Sequence, residues 1–204
     1  MRTPTPRTGK IVAAAATPLA VLAAAGLVWQ SSYAAFSGTT RNSGNEWSTG
    51  AVALTDDDNG SARFQVAGMV PMQTDTKCIK VTANATVPGT VQGYAVNPVV
   101  SAQGLENHIK VEVTSGDGGG FGSCDGFVAA QSVIPAGTSL AQLAQFSAYD
   151  DALGGWDVPA GTHSRTYQIT WKFDTATLTQ AQVDQLQGAK TGIDFQWELR
   201  SNDS

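Results

Sequence analysis

The sequence predicts an all-β fold, a jelly-roll-like antiparallel β-sandwich with one or two short inserted helices. Three observations carry that prediction: apolar residues recur with a period of two, turn clusters punctuate the chain at short intervals, and long helical periodicity is absent. The clearest strand is Tyr167-Gln168-Ile169-Thr170-Trp171-Lys172-Phe173, with Tyr, Ile, Trp and Phe on one face and amide, hydroxyl or ammonium groups on the other. Ile193 to Arg200 repeats the pattern, as do Ile109–Val113 and Ile79–Ala83. One wet face and one dry face is what antiparallel sheets packed face to face require. Val52–Thr55, Ala62–Val66 and Val91–Asn97 read as further strands, separated by the Asp56–Gly60, Met69–Met72 and Val87–Thr90 turn clusters. Seven or more such strands make a sandwich.

The helices are local. Thr179-Gln180-Ala181-Gln182 is a capping box, followed by Val183 and Leu186 at helical spacing and by Gly188 as a stop. Ser139–Phe146 predicts a second short helix with Leu140, Leu143 and Phe146 on one side. Between Ser115 and Gly126 runs a glycine-rich loop.

Ahead of the first strand lies an export signal. Arg2, Arg7 and Lys10 precede an uncharged, alanine-rich run from Ile11 to Trp29, and Ser32-Tyr33-Ala34 offers small residues at −3 and −1 to a signal peptidase. The expectation is a signal peptide over 1–34 and a single mature β-sandwich domain over 35–204. A retained anchor is the alternative, since the run is just long enough to span a bilayer. Against it, Thr17-Pro18 interrupts the run, and alanine drives insertion weakly. The cleaved chain is therefore expected outside the cell with no stable membrane insertion. Cleavage removes three cations and no acids, moving the formal charge from −5 to −8. So acidic a chain has no basic footprint for nucleic acid and no polybasic patch for anionic lipid. In an oxidising compartment the two cysteines, Cys78 and Cys124, are expected to form a disulfide rather than free thiols.

The order of motifs behind the signal resembles a known family. Ala35-Phe36-Ser37-Gly38-Thr39, then Gly44-Asn45-Glu46-Trp47-Ser48-Thr49-Gly50-Ala51-Val52-Ala53-Leu54, is similar to the N-terminal signature of the TasA–camelysin family. Phe64-Gln65-Val66, Met69-Val70-Pro71-Met72 and Thr76–Val81 echo its next strand, turn and strand. The likeness covers about residues 35–85. Met72 stands where the family turn usually has glycine, and Ser37-Gly38 breaks the aromatic pair of fibre-forming members. What the resemblance implies is an exported jelly roll, cut by a dedicated signal peptidase and polymerising into biofilm matrix fibres. Assembly would be by β-augmentation: the segment 35–50 of one copy, with Ala35, Phe36, Ser37, Gly38, Thr39 and Thr40 as donated strand, completes the sheet of the next. Phe36 and Trp47 would anchor it. A monomeric secreted binding module is the alternative without polymerisation.

Camelysin-type relatives imply a second activity, a surface metalloendopeptidase. The zinc ligands on offer are Glu106, His108 and His163, without a His-Glu-x-x-His motif. Asp157, His163 and Ser164 offer the parts of a hydrolytic triad but no nucleophile elbow. No catalytic residue and no cofactor is expected. The best cation candidate is calcium at Asp56, Asp57 and Asp58, where clustered carboxylates suit a hard ion, although a solvated acidic turn reads equally well. Asp117 and Asp150-Asp151 are weaker candidates. Trp171, Phe173, Phe195 and Trp197 are expected in the core, and Trp156 in an exposed loop open to carbohydrate contact.

Overall fold

The computed structural model describes residues 51–59 and 64–202. The chain divides into Met1–Phe36 and Ser37–Ser204, and all described residues belong to the second unit. The strands are β1 (Val52–Asp56), β2 (Thr74–Ala85), β3 (Gly89–Val99), β4 (Ile109–Asp117), β5 (Val128–Ser139), β6 (Leu153–Val158), β7 (Gly161–Phe173) and β8 (Gly192–Ser201). Helix α1 (Leu140–Leu143) follows β5, and α2 (Gln180–Gln185) joins β7 to β8. One sheet runs β1-β2-β7-β4-β5 and the other β6-β3-β8, with every pairing antiparallel.

That order is a jelly roll with one departure. Eight strands wound as a folded-over hairpin place strands 2, 7, 4 and 5 in one sheet and 1, 8, 3 and 6 in the other. Here β2-β7-β4-β5 and β8-β3-β6 keep the scheme, but β1 hydrogen-bonds to β2 across the sandwich rather than to β8. The alternation in sequence explains the packing. Ile79, Val81, Ala83 and Ala85 of β2, Tyr167, Ile169, Trp171 and Phe173 of β7, and Ile109, Val111 and Val113 of β4 form one buried surface. Val91, Ala95, Trp156, Val158 and Leu199 answer it from the other sheet.

The capping box read at Thr179 and Gln182 forms and starts α2, and a second one that was not read, Ser139 with Gln142, starts α1. The α1 region is shorter than predicted, although Leu140 and Leu143 are buried as expected. The strand predicted over Ala62–Val66 is not formed where it can be seen. Residues 64–67 lie outside regular structure and 60–63 outside the described residues; Phe64 and Met69 instead pack on the core as a strap. Trp156 is a correction as well. It lies on β6 rather than in a loop, only 8% exposed. Gly154-Gly155 had suggested a loop, but both glycines are strand residues where neighbours approach closely. A Cβ on Gly154 would lie 2.3 Å from Val133, and one on Gly155 would lie 2.4 Å from Gln92.

Cys78 and Cys124 form the disulfide. Cys78 points to the outer face of the five-stranded sheet, so the bridge pins the glycine-rich loop across that face. It closes a loop of 46 residues, for which chain entropy gives about 4 kcal/mol. Replacing both cysteines by alanine is expected to lower the melting temperature by roughly 10 °C with the fold retained, read by calorimetry and circular dichroism.

Burial pushes the Tyr167 phenol up to about 12 from an ordinary 10, against weaker opposing contacts from Trp156, Arg165 and Trp197. The unfolded chain releases this proton near 10 and the folded chain holds it to about 12. The corresponding stability is thus complete below pH 10 and lost as pH rises between those values. Tyr167→Phe is expected to flatten this alkaline limb in denaturation midpoints measured against pH.

Candidate strand-acceptor groove

The two open sides of the sandwich differ. On one side β5 and β6 are zipped together by the Gly154–Val133 approach. Along β5 the free edge is interrupted by Pro135, by Gly137 at φ 86, and by three register shifts against β4. Proline and bulges of this kind keep an edge from pairing with another chain.

On the other side β1 and β8 face each other across a groove of about 500 Å³. Its lining is mixed: Val81, Val52 and Leu54, with Phe195, Trp197 and Leu199 of β8, supply apolar groups, and Thr55, Gln196 and Glu198 supply polar ones. Asp56 lies at its rim. Strand β8 holds continuous register with β3 from Gly89↔Ser201 to Val96↔Asp194, with one shift before Val99↔Gly192. Among the described residues no strand pairs with its other edge. No proline interrupts it, and its only glycine is the first residue. A smaller pocket of about 160 Å³, lined by Phe64, Met69, Trp171 and Ile193 among others, continues the groove past Phe195.

The inner row of β8 is set by contacts across the sandwich. Trp197 tilts against Tyr167 with ring centroids 5.2 Å apart, and Phe195 stacks on Trp197 at 6.3 Å. Gly93 makes room for the indole, since a Cβ there would meet it at 3.2 Å. Phe195 and Trp197 had been expected in the core with Trp171 and Phe173. Only the latter pair is fully buried; Phe195 and Trp197 are half-buried and line the groove. Alternation showed which way they point but not that their neighbour strand lies in the opposite sheet.

The outer row of β8 is locked by polar contacts. The Tyr94 hydroxyl donates to Glu198 Oε2 at 2.7 Å and accepts from Gln196 Nε2 at 2.6 Å. Arg200 Nε donates to Glu198 Oε1 at 2.8 Å, while its guanidinium lies 3.9 Å over the Tyr149 ring. Asp150, one of the weaker cation candidates, is 88% exposed and sits 3.6 Å from Arg200, a contact worth little in water. An edge held this firmly would lose little conformational freedom on pairing.

The other candidate residues are placed as follows. Asp57 Oδ1 accepts the Lys80 N–H at 2.8 Å and Oδ2 accepts the Phe121 N–H at 2.7 Å, so its carboxylate ties the glycine-rich loop to β2. Asp56 Oδ1 accepts from the Asp58 N–H at 3.4 Å. Burial, then Asp58 and Asp57, raise the Asp56 carboxyl above its ordinary value. Among the described residues no group of three or more His, Cys, Asp or Glu side chains is arranged to hold a metal.

His108 lies beside Phe173, its carbonyl accepting the Asp174 N–H, whereas His163 pairs with Ala83 at the other end of β7. At roughly 3.3 Å per residue the strand keeps the two histidines about 30 Å apart. Glu106 accepts both the N–H and the hydroxyl of Ser101. The three proposed zinc ligands are thus not brought together. His163 and Ser164 project to opposite faces of β7, so the triad is not assembled either. The donor residues Ala35, Phe36, Ser37, Gly38, Thr39, Thr40 and Trp47 lie outside the described residues. Comparison with protein-family models and with curated proteins finds no match.

Burial works to raise the Glu198 carboxyl, but hydrogen bonds from Arg200 and Tyr94 and the Arg200 charge outweigh it, holding the group below its ordinary 4.5. Its contribution to stability is complete above that value and lost as pH falls through the lowered one. Glu198→Gln is expected to reduce the acid sensitivity of the melting temperature below pH 4.5 and to loosen β8, read as faster amide exchange along that strand.

Proposed function

We propose that this chain is a secreted structural protein, a subunit of extracellular matrix or biofilm fibres, that accepts along β8 the N-terminal strand of another copy. The observation that carries the reading is the pairing of a long, uninterrupted β8 edge with a groove of about 500 Å³ that sets Val52, Leu54, Val81, Phe195, Trp197 and Leu199 among polar neighbours. Main-chain groups of β8 supply the ladder, and the groove takes alternate side chains of the incoming strand. From Ile193 to Leu199 the edge runs about 20 Å, enough for the six residues Ala35–Thr40. Phe36 is the apolar anchor. Antiparallel entry restores jelly-roll order, because the first strand of that fold runs opposite to the last, as β1 already does from the far wall.

The export signal and the disulfide support a location outside the cell, with a signal peptidase as the processing partner. The resemblance to the TasA–camelysin family supports the same assembly. A donor in one copy and an acceptor in the next form a head-to-tail contact that does not close, so it grows as a filament.

The test compares the full exported chain with one lacking Ala35–Thr40. The shortened chain is expected to keep its circular dichroism spectrum and to form no filaments by electron microscopy. Equal filament formation by both chains refutes the reading. A synthetic peptide of residues 35–49, added in excess, is expected to shorten filaments of the full chain by occupying the groove.

A further inference from the structure

Strand β1 is only five residues long, and it is fastened to β2 at both of its ends. At its start the Ala51 N–H donates to Thr86 Oγ1 at 2.7 Å, and the Thr86 N–H donates to the Ala51 carbonyl at 2.9 Å. At its finish Asp57 takes over from the ladder with its side chain. The Asp57 N–H donates to the Lys80 carbonyl at 3.2 Å, and Asp57 Oδ1 accepts the Lys80 N–H at 2.8 Å. The second oxygen, Oδ2, accepts the Phe121 N–H of the glycine-rich loop at 2.7 Å. That loop is itself tied to β2, because Cys124 is bridged to Cys78. The fit is close: a Cβ on Gly120 would lie 2.7 Å from Asp57 Oδ2.

These fastenings decide something that the ladder does not. Strand β1 runs antiparallel to β2. It also runs antiparallel to β8, since the start of β1 and the finish of β8 lie at one end, Ala51 on Thr86 and Asn202 on Pro88. Main-chain groups of β1 therefore suit either neighbour. Val52 and Leu54 of β1 line the groove together with Trp197 and Leu199 of β8. Jelly-roll order places the first strand on the last, yet β1 stands on β2, where the bonds to Thr86, Lys80 and Phe121 hold it.

We infer that the Asp57 clamp, with the loop that the disulfide tethers, holds β1 off β8 and so keeps the acceptor edge open. Released from the clamp, β1 crosses the groove and pairs with β8 of its own body, taking the edge that a donated strand needs. The strand just behind the donor segment is thus an internal competitor for the same edge, and Asp57 and Gly120 are positioning residues. The inference deepens the strand-donation reading and rests on it for its purpose, while the place of β1 is measured on the unassembled chain.

Asp57→Ala in the full exported chain is the test, with Gly120→Ala as a second variant that crowds the carboxylate while keeping it. Amide exchange read by mass spectrometry on dilute, unassembled chain follows both strands. In each variant β8 is expected to exchange about tenfold more slowly than in the unmodified chain, and Val81–Ala85 of β2 faster. With β1 on β8 in about nine chains of ten, the competent fraction falls to about a tenth, and the concentration needed for filaments rises about tenfold. Faster exchange in β2 with β8 unchanged means that β1 frays without crossing, and it overturns the inference. Unchanged exchange in both strands overturns it as well. Either result leaves strand donation standing where the unmodified chain makes filaments. Slower β8 exchange in the variants of a chain that never polymerises sinks strand donation and keeps the clamp.

Discussion

The pairing of β2 with β7 is the constraint on which the rest of the molecule depends. It runs unbroken from Thr74↔Lys172 to Ala85↔Gly161, so one register fixes the facing of every side chain on two long strands. A slip of β2 by one residue against β7 would turn Ile79 and Val81 to the outer face and Lys80 and Thr82 inward. The same register puts Cys78 on the outer face and thereby decides that the bridge holds a loop rather than the core. It also sends His108 and His163 to opposite ends.

The fold was legible because alternation is strongest in β2, β4 and β7 of one sheet and β8 of the other. The Thr179–Gln182 capping box was legible too, since it is complete within four residues, whereas the one at Ser139 and Gln142 went unread. Other features were written in contacts that no local pattern carries. Gly154 and Gly155 read as loop residues until Val133 and Gln92 are placed beside them. The acidic turn at Asp56–Asp58 reads equally as a cation site or a solvated turn, and no local pattern tells that Asp57 holds two backbone amides. Phe195 and Trp197 read as core because inward direction can be deduced, whereas the identity of the neighbouring strand cannot. Nothing in β1 announces that it will pair with β2 instead of β8.

Met72 shows a backbone requirement met by a residue that does not suit it. It sits at φ 65, the left-handed region where glycine is at ease. The hydrogen bond from its N–H to the Phe173 carbonyl, together with that from the Gln73 N–H to the Val70 carbonyl, holds the turn. A flexible thioether is thereby presented outward where glycine would present nothing.

The described chain starts and finishes at the same end of the sandwich, with Ala51 bonded to Thr86 and the Asn202 N–H donating to the Pro88 carbonyl. A short bridge between those two residues would span little space, so circular permutation with new ends in the Pro159-Ala160 turn is geometrically undemanding. In such a permutant the leading segment would be severed from its own body without removing a single residue of the sandwich.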